Sequence, residues 1–259
     1  MINPKYQEKS RLLDGDTCIL FVHGILSSPN FFRKMTRSLP DNYSYLNILL
    51  PGHGTTLSDF AKVNMKDWEN YCAEKLALLR EKYSRIVVVG HSMGNLLLVD
   101  EINKNADKIA GAVLIDVPLI GHITTKGLET MFKATFNEEK EKDKIDSSVK
   151  DNKSIKIEHY YELPYFLPAF IELLWKMHKV RRDFAEFPIR SYVFQSAKDE
   201  LVSPLSNNYI NRNSLAQLTV MPGTGHFYFP KSQRELIISR ICELYEDQAQ
   251  AASGEKADS

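Results

Sequence analysis

Ser92 stands in Gly90-His91-Ser92-Met93-Gly94, a G-x-S-x-G pentapeptide that directly follows the β-branched run Arg85-Ile86-Val87-Val88-Val89 and precedes the apolar stretch Asn95 to Val99. A serine held in the tight turn between a strand and a helix has its hydroxyl pushed out above the sheet edge. Small residues two positions to either side keep the backbones from colliding. Ser92 is therefore the candidate nucleophile. A bare pentapeptide is more often a turn than a catalytic elbow, so the reading requires a base, an acid and an oxyanion site elsewhere in the chain.

A serine hydroxyl is a poor nucleophile at neutral pH and needs an imidazole to take its proton. Of seven histidines, His226 lies in Pro222-Gly223-Thr224-Gly225-His226-Phe227, a glycine-rich loop after the last strand-like run and before the last helix. Loops at the carboxyl ends of strands in an open parallel sheet share one crevice, which puts His226 on the same edge as Ser92. His53, in Pro51-Gly52-His53-Gly54, also follows a strand, but its loop reads as a structural turn. His91 shapes the elbow, and His122, His159 and His178 read as solvated or pocket-lining residues.

The imidazole in turn needs a carboxylate to fix its tautomer. Asp199 follows the run Ser191 to Ala197, again at a strand's carboxyl end, and gives the order serine, acid, histidine. Glu200 adjoins it, and spacing alone does not separate the two; Asp199 comes sooner after the strand and has the shorter side chain. Asp116, after Ala112 to Ile115, is a third carboxylate on this edge and reads as a strand exit. Acyl chemistry also needs donors for the oxyanion. Met93 offers a backbone N–H at a helix start, where amides are unpaired and the dipole favours negative charge. The second donor is assigned to Ile25, in the loop His23-Gly24-Ile25-Leu26-Ser27-Ser28.

The elements that must position these residues are continuous apolar runs at Thr17 to Val22, Ser44 to Leu50, Ile86 to Val89, Ala112 to Ile115, Ser191 to Phe194 and Leu215 to Val220. Continuous runs indicate parallel strands covered on both faces. Met65, Trp68, Cys72, Leu76, Leu79 and Tyr83 form a helical stripe, as do Ile237, Ile241 and Leu244. Alternating strands and helices give an α/β class with a mainly parallel sheet. The expected core is 1–120 with 189–247, interrupted by a helical cap insertion at 121–188 and followed by a disordered tail, 248–259. The insertion contains a mixed-sign charge run, Asn137 to Asp146, read as a solvated helix or connection. It also contains an aromatic-rich stretch from Tyr160 to Trp175. There, Tyr165, Phe166, Phe170 and Trp175 are the candidates to wall a substrate pocket.

Composition narrows the function further. Thirty-three basic and 33 acidic residues cancel across 259 positions, which argues against nucleic acid or an anionic membrane as the main partner. The first ten residues contain no apolar h-region, and no run approaches the roughly 20 apolar residues of a membrane span. A cytoplasmic protein without integral membrane association is expected, as a monomer or homodimer. Cys18, Cys72 and Cys242 lie far apart without metal-site spacing and read as buried small hydrophobes in a reducing compartment. Chemistry carried by a serine, an imidazole, a carboxylate and two backbone amides needs no metal or organic cofactor, and none is expected.

His23-Gly24, Pro51-Gly52-His53-Gly54, the Gly-His-Ser-Met-Gly elbow, Asp199 and Gly225-His226 together resemble the α/β-hydrolase superfamily from about Thr17 to Tyr245, and are most similar to small bacterial carboxylesterases and monoacylglycerol lipases. The resemblance implies that the residue after His-Gly and the residue after the serine supply the oxyanion amides, which are Ile25 and Met93. Asn95 departs from the pattern, standing where these enzymes often carry another glycine. The implied function is a serine hydrolase acting on carboxylic esters, short to medium acyl or monoacylglycerol-type, through an acyl-enzyme. Fold and triad leave other chemistries open on the same scaffold. These are acyl transfer, thioester, amide or carbon–carbon hydrolysis, a lyase, and a non-catalytic ligand-binding receptor.

Overall fold

The computed structural model describes residues 3–121, 154–155 and 160–247. The charge run Asn137 to Asp146, the histidines His122 and His159 and the tail 248–259 lie outside them. Seven strands form one sheet: β1 (Lys9–Arg11), β2 (Thr17–Val22), β3 (Ser44–Asn47), β4 (Arg85–His91), β5 (Ile109–Ile115), β6 (Ser191–Ser196) and β7 (Ala216–Met221). Their order is β1-β3-β2-β4-β5-β6-β7, with every pairing parallel except β1 against β3. This is the mainly parallel α/β sheet expected from the residues. The seven α-helices of the described residues are α1 (Arg33–Thr36), α2 (Leu57–Phe60), α3 (Met65–Lys82), α4 (Met93–Lys104), α5 (Leu167–Asp183), α6 (Ser206–Ile210) and α7 (Lys231–Glu246).

Within β2 the side chains alternate between two cores. Cys18, Leu20 and Val22 face the cluster built with α3, α4 and α5, while Ile19 and Phe21 face the one built with α7 and Phe32. The stripe on α3 buries Met65, Trp68, Cys72, Leu76 and Leu79, and α7 buries Ile237, Ile241 and Leu244, which are the apolar positions of the two predicted stripes. Cys18 and Cys72 are buried, whereas Cys242 is only partly covered.

Two differences from the expected strands have local causes. β3 ends at Asn47 rather than Leu50, because beyond a single bond from Ile48 N–H to Phe21 O the chain turns away to carry Leu50 and Pro51 under the site. β1 adds an edge strand of three residues, too short to show a period.

Register brings the carboxyl ends level. Val22 pairs with Gly90, His91 with Ile115, and Ile115 with Phe194. The loops after β2, β4, β5 and β6 therefore leave along one edge. The chain goes from β2 to β3 on one side and from β4 to β5 on the other, so the loops after β2 and β4 diverge around a crevice, the switch point where open α/β sheets bind ligands.

α5 packs on α4 and α3 through Ala169, Leu173, Met177 and Val180. With them it buries Lys176, whose side chain is only 4% exposed and bonds Asp100 and Glu69, each at 2.6 Å. Lys179 and Lys104 also pair with Asp100. Burial would raise the Asp100 carboxyl, but the three lysines hold it well below the usual carboxylate range. Among the described residues, no helix is long and apolar enough to cross a membrane.

Candidate active site

The turn from β4 into α4 holds Ser92 at φ 51°, ψ −124°, a sparsely populated region for any residue with a side chain. Its neighbours account for its persistence. Ser92 N–H donates to Ile115 O at 3.0 Å, and Asn95 Nδ2 donates to the same oxygen at 2.7 Å, tying the turn to β5. Asn95 thus has a role at the position where a glycine was expected. The flanking glycines are required by space: a Cβ on Gly94 would lie 2.1 Å from Val22 O, and one on Gly90 would lie 2.3 Å from Asn95 Oδ1.

Ser92, His226 and Asp199 meet. Ser92 Oγ is 3.0 Å from His226 Nε2, and His226 Nδ1 is 2.8 Å from Asp199 Oδ2. The second Asp199 oxygen accepts from Leu201 N–H at 2.8 Å and Val202 N–H at 2.7 Å, so the carboxylate is anchored by its own loop. Burial alone would depress the His226 imidazole, but the Asp199 carboxylate, with Glu200 beyond it, holds it above its ordinary value. Glu200 accepts from the His226 backbone N–H at 3.1 Å, so of the two neighbouring acids Asp199 meets the ring and Glu200 meets the chain. An imidazole placed this way can take a proton from the serine and remain stabilised as an imidazolium.

Asp116, fully buried, occupies a second layer. Its oxygens accept from Ser196 N–H at 2.6 Å and lie 3.1 Å from Ser196 Oγ, and burial together with the nearby Asp199 charge pushes its carboxyl well above the ordinary range. His91 stacks on Phe31 at 3.7 Å and donates from Nε2 to His226 O at 3.0 Å. His91, Asp116 and His226 bring potential ligand atoms within 4.8 Å of one another. Hydrogen bonds already engage both nitrogens of His226 and Nε2 of His91, which leaves a cation only His91 Nδ1 and the remaining lone pairs of Asp116.

Neither Ile25 N–H nor Met93 N–H donates to any group among the described residues. Met93 opens α4, and Gly24 brings the Ile25 loop against the turn, since a Cβ there would lie 2.8 Å from Ser92 Cβ. The cap candidates separate by exposure: Phe166 stacks on Phe60 at 5.4 Å and Phe170 is half-buried against the core, while Tyr165 and Trp175 are exposed, Trp175 at 71%. His178 is exposed beside Arg181.

Residues 19–238 match the model of the alpha/beta hydrolase family. The chain belongs to that family. It is 26% identical over 196 residues, 74% of each chain, to a thermostable monoacylglycerol lipase from Bacillus sp. (strain H-257). Among solved structures it resembles one described with LipS and LipT, two metagenome-derived lipolytic enzymes, at a TM-score of 0.72 and 18% identity, covering 95% of this chain and 99% of the other. It also resembles an esterase from Thermogutta terrifontis at a TM-score of 0.63 and 15% identity, covering 92% and 93%. These likenesses extend the family fold across nearly the whole chain.

Sequence reasoning missed what His23 and His53 do in this family scaffold. His23 donates from Nδ1 to Gly24 O at 2.8 Å and accepts from Leu50 N–H at 3.1 Å. His53 donates from Nδ1 to Pro51 O at 3.2 Å and accepts from Leu26 N–H at 3.1 Å. The Pro-Gly-His-Gly motif was the available signal, since a histidine between two glycines in a loop below the crevice has a ring to place.

Proposed function

We propose that this chain is a serine hydrolase that cleaves carboxylic esters through an acyl-enzyme. What carries the reading is the line of contacts from Ser92 Oγ through His226 to Asp199, at 3.0 and 2.8 Å, ending on a serine in a strained turn. His226 Nε2 takes the Ser92 proton as Oγ attacks the ester carbonyl, and Asp199 keeps the other ring nitrogen protonated. The oxyanion rests on the N–H groups of Ile25 and Met93. His226 then protonates the leaving alcohol, and water deacylates Ser92 by the same proton path in reverse.

The class of acyl group is read as short to medium chain or monoacylglycerol-type. Two observations support it: the half-buried aromatic residues Phe166 and Phe170 beside the core, and the likeness to a monoacylglycerol lipase.

Labelling with a fluorophosphonate probe tests the nucleophile, with Ser92→Ala as the control. A panel of p-nitrophenyl esters of rising chain length, with monoacylglycerol alongside, then ranks the substrates. Ser92 labels and the activity is lost in the alanine variant; absence of labelling on folded protein sinks the reading. Product analysis with an added alcohol distinguishes hydrolysis from acyl transfer, since a transferase would return a new ester in place of the free acid.

A further inference from the structure

In the loop after β2, three successive peptide groups are each fixed by hydrogen bonds, the first from within the loop and the next two from outside it. Gly24 O accepts from His23 Nδ1–H at 2.8 Å and from Ser27 N–H at 3.2 Å. In a planar trans peptide the N–H points opposite to the C=O, so these two bonds also set the direction of Ile25 N–H, which is left without a partner among the described residues. The next N–H, that of Leu26, donates to His53 Nε2 at 3.1 Å. The following carbonyl, Leu26 O, accepts from Ser154 N–H at 2.9 Å and lies 3.3 Å from Ser154 Oγ. Leu26 itself has φ 61°, a left-handed conformation that a leucine keeps only when its surroundings impose it.

His53 is built for this hold. Its Nδ1–H is engaged by Pro51 O, and the ring is boxed by His23 at 4.9 Å, Phe60 at 5.2 Å and Trp68 at 5.6 Å, so it cannot turn away. Burial pushes the imidazole down to about 4, which keeps it neutral at ordinary pH with Nε2 able to accept.

We propose that His53 is a positioning residue for the oxyanion site, its Nε2 holding the Leu26 peptide in the left-handed turn that leaves Ile25 N–H free beside Ser92. This rests on the reading of Ser92 as nucleophile and Ile25 as oxyanion donor. The Ser154 bonds on Leu26 O hold the same turn from its other side.

The test compares His53→Gln, His53→Asn and His53→Phe in the full chain on a p-nitrophenyl ester, with kcat per site counted by fluorophosphonate titration to completion. A glutamine amide reaches the place of Nε2 and can accept from Leu26 N–H, whereas an asparagine amide reaches only the place of Nδ1. The glutamine variant keeps kcat within about threefold of wild type, while the asparagine and phenylalanine variants lose about tenfold to a hundredfold, short of the roughly 100- to 1000-fold of deleting an oxyanion donor outright. KM stays within about threefold throughout, because the interaction acts on the transition state. Undiminished kcat in the asparagine variant, an equal loss in the glutamine and asparagine variants, or a change in KM alone overturns the proposal. If His53→Phe does not fold, the glutamine and asparagine pair decides. Should wild-type protein fail to label at Ser92, the enzymatic reading falls. If it labels and turns over while the His53 variants behave as wild type, only the role of His53 falls.

Discussion

Replacing Asp199 by asparagine changes one atom, and the structure dictates which way the new amide must face. Asp199 Oδ1 accepts two backbone N–H groups, from Leu201 and Val202, while Oδ2 accepts from His226 Nδ1. An asparagine offers one acceptor and one donor group. Pointing its NH2 at the two backbone donors would strand both of them, at about 1–3 kcal/mol each, so the oxygen stays there and the NH2 faces His226. The imidazole must then accept at Nδ1 and carry its proton on Nε2, toward Ser92 Oγ 3.0 Å away, where it cannot take the serine proton. The same tautomer error in a serine-protease triad lowers kcat by about 10,000-fold, which is about 5.5 kcal/mol at 1.36 kcal/mol per tenfold.

Ester hydrolysis by Asp199→Asn is expected to fall by about that factor, with KM little changed. The pH profile moves as well. A working base must be neutral, so wild-type activity declines as pH falls through the His226 value, which lies above 6.5. Without the carboxylate that lifts the imidazole, the remaining acid limb shifts to lower pH. Glu200→Gln is the comparison, since Glu200 bonds the His226 backbone N–H rather than the ring, and a loss of several-fold is expected. Activity of Asp199→Asn within tenfold of wild type, or a larger loss in Glu200→Gln, would refute the assignment of the acid.

Other outcomes follow from the same geometry. Gly94→Ala sets a methyl 2.1 Å from Val22 O, a backbone atom that cannot yield, and urea denaturation is expected to register a loss of about 3 kcal/mol. For Asp116 the folded carboxyl lies above its unfolded value near 3.8, so its contribution to stability is complete below that pH and is lost as pH rises through the folded value. Asp116→Asn removes this titration while keeping an acceptor for Ser196 N–H; its denaturation midpoint is expected to gain on wild type between pH 4 and pH 8, and an unchanged difference would contradict the buried neutral acid. Asp100 has the opposite sign, its depressed value stabilising the fold above pH 3.8 and ceasing to do so as pH falls below. Asp100→Asn leaves Lys176 buried with Glu69 alone and is expected to cost about 3 kcal/mol at pH 7, a deficit that shrinks in acid.

The candidate site was legible because each of its side chains follows a strand by one to a few residues, and parallel register turns that sequence position into a shared edge. Ser92, Asp199 and His226 needed only the strand ends to be found. The rings of His23 and His53 were not legible, because their roles are set by which atoms of Gly24, Leu26, Leu50 and Pro51 come within reach, a matter of tertiary approach. α5 posed a different difficulty. It is apolar on more than one face, and only packing decides that Ala169, Leu173, Met177 and Val180 go inward with a lysine among them while Leu167, Ile171, Leu174 and Trp175 stay outside. Lys176 follows Trp175 directly, and local hydrophobicity alone would have turned that pair the other way.

Beside the ion cluster, α5 makes another polar tie to α3. Glu172 Oε2 accepts from Met65 N–H at 2.7 Å, so a carboxylate on α5 closes the first amide of α3, 107 residues earlier in the chain. Asn64 already serves Lys66 and Asp67, and the N1 amide is one that a helix cannot satisfy for itself. Protection of the Met65 amide against hydrogen exchange thus depends on α5 being seated, while deeper amides of α3 depend on the domain as a whole. The exchange of a single backbone proton at Met65 therefore becomes a clock for the opening of α5, readable without substrate.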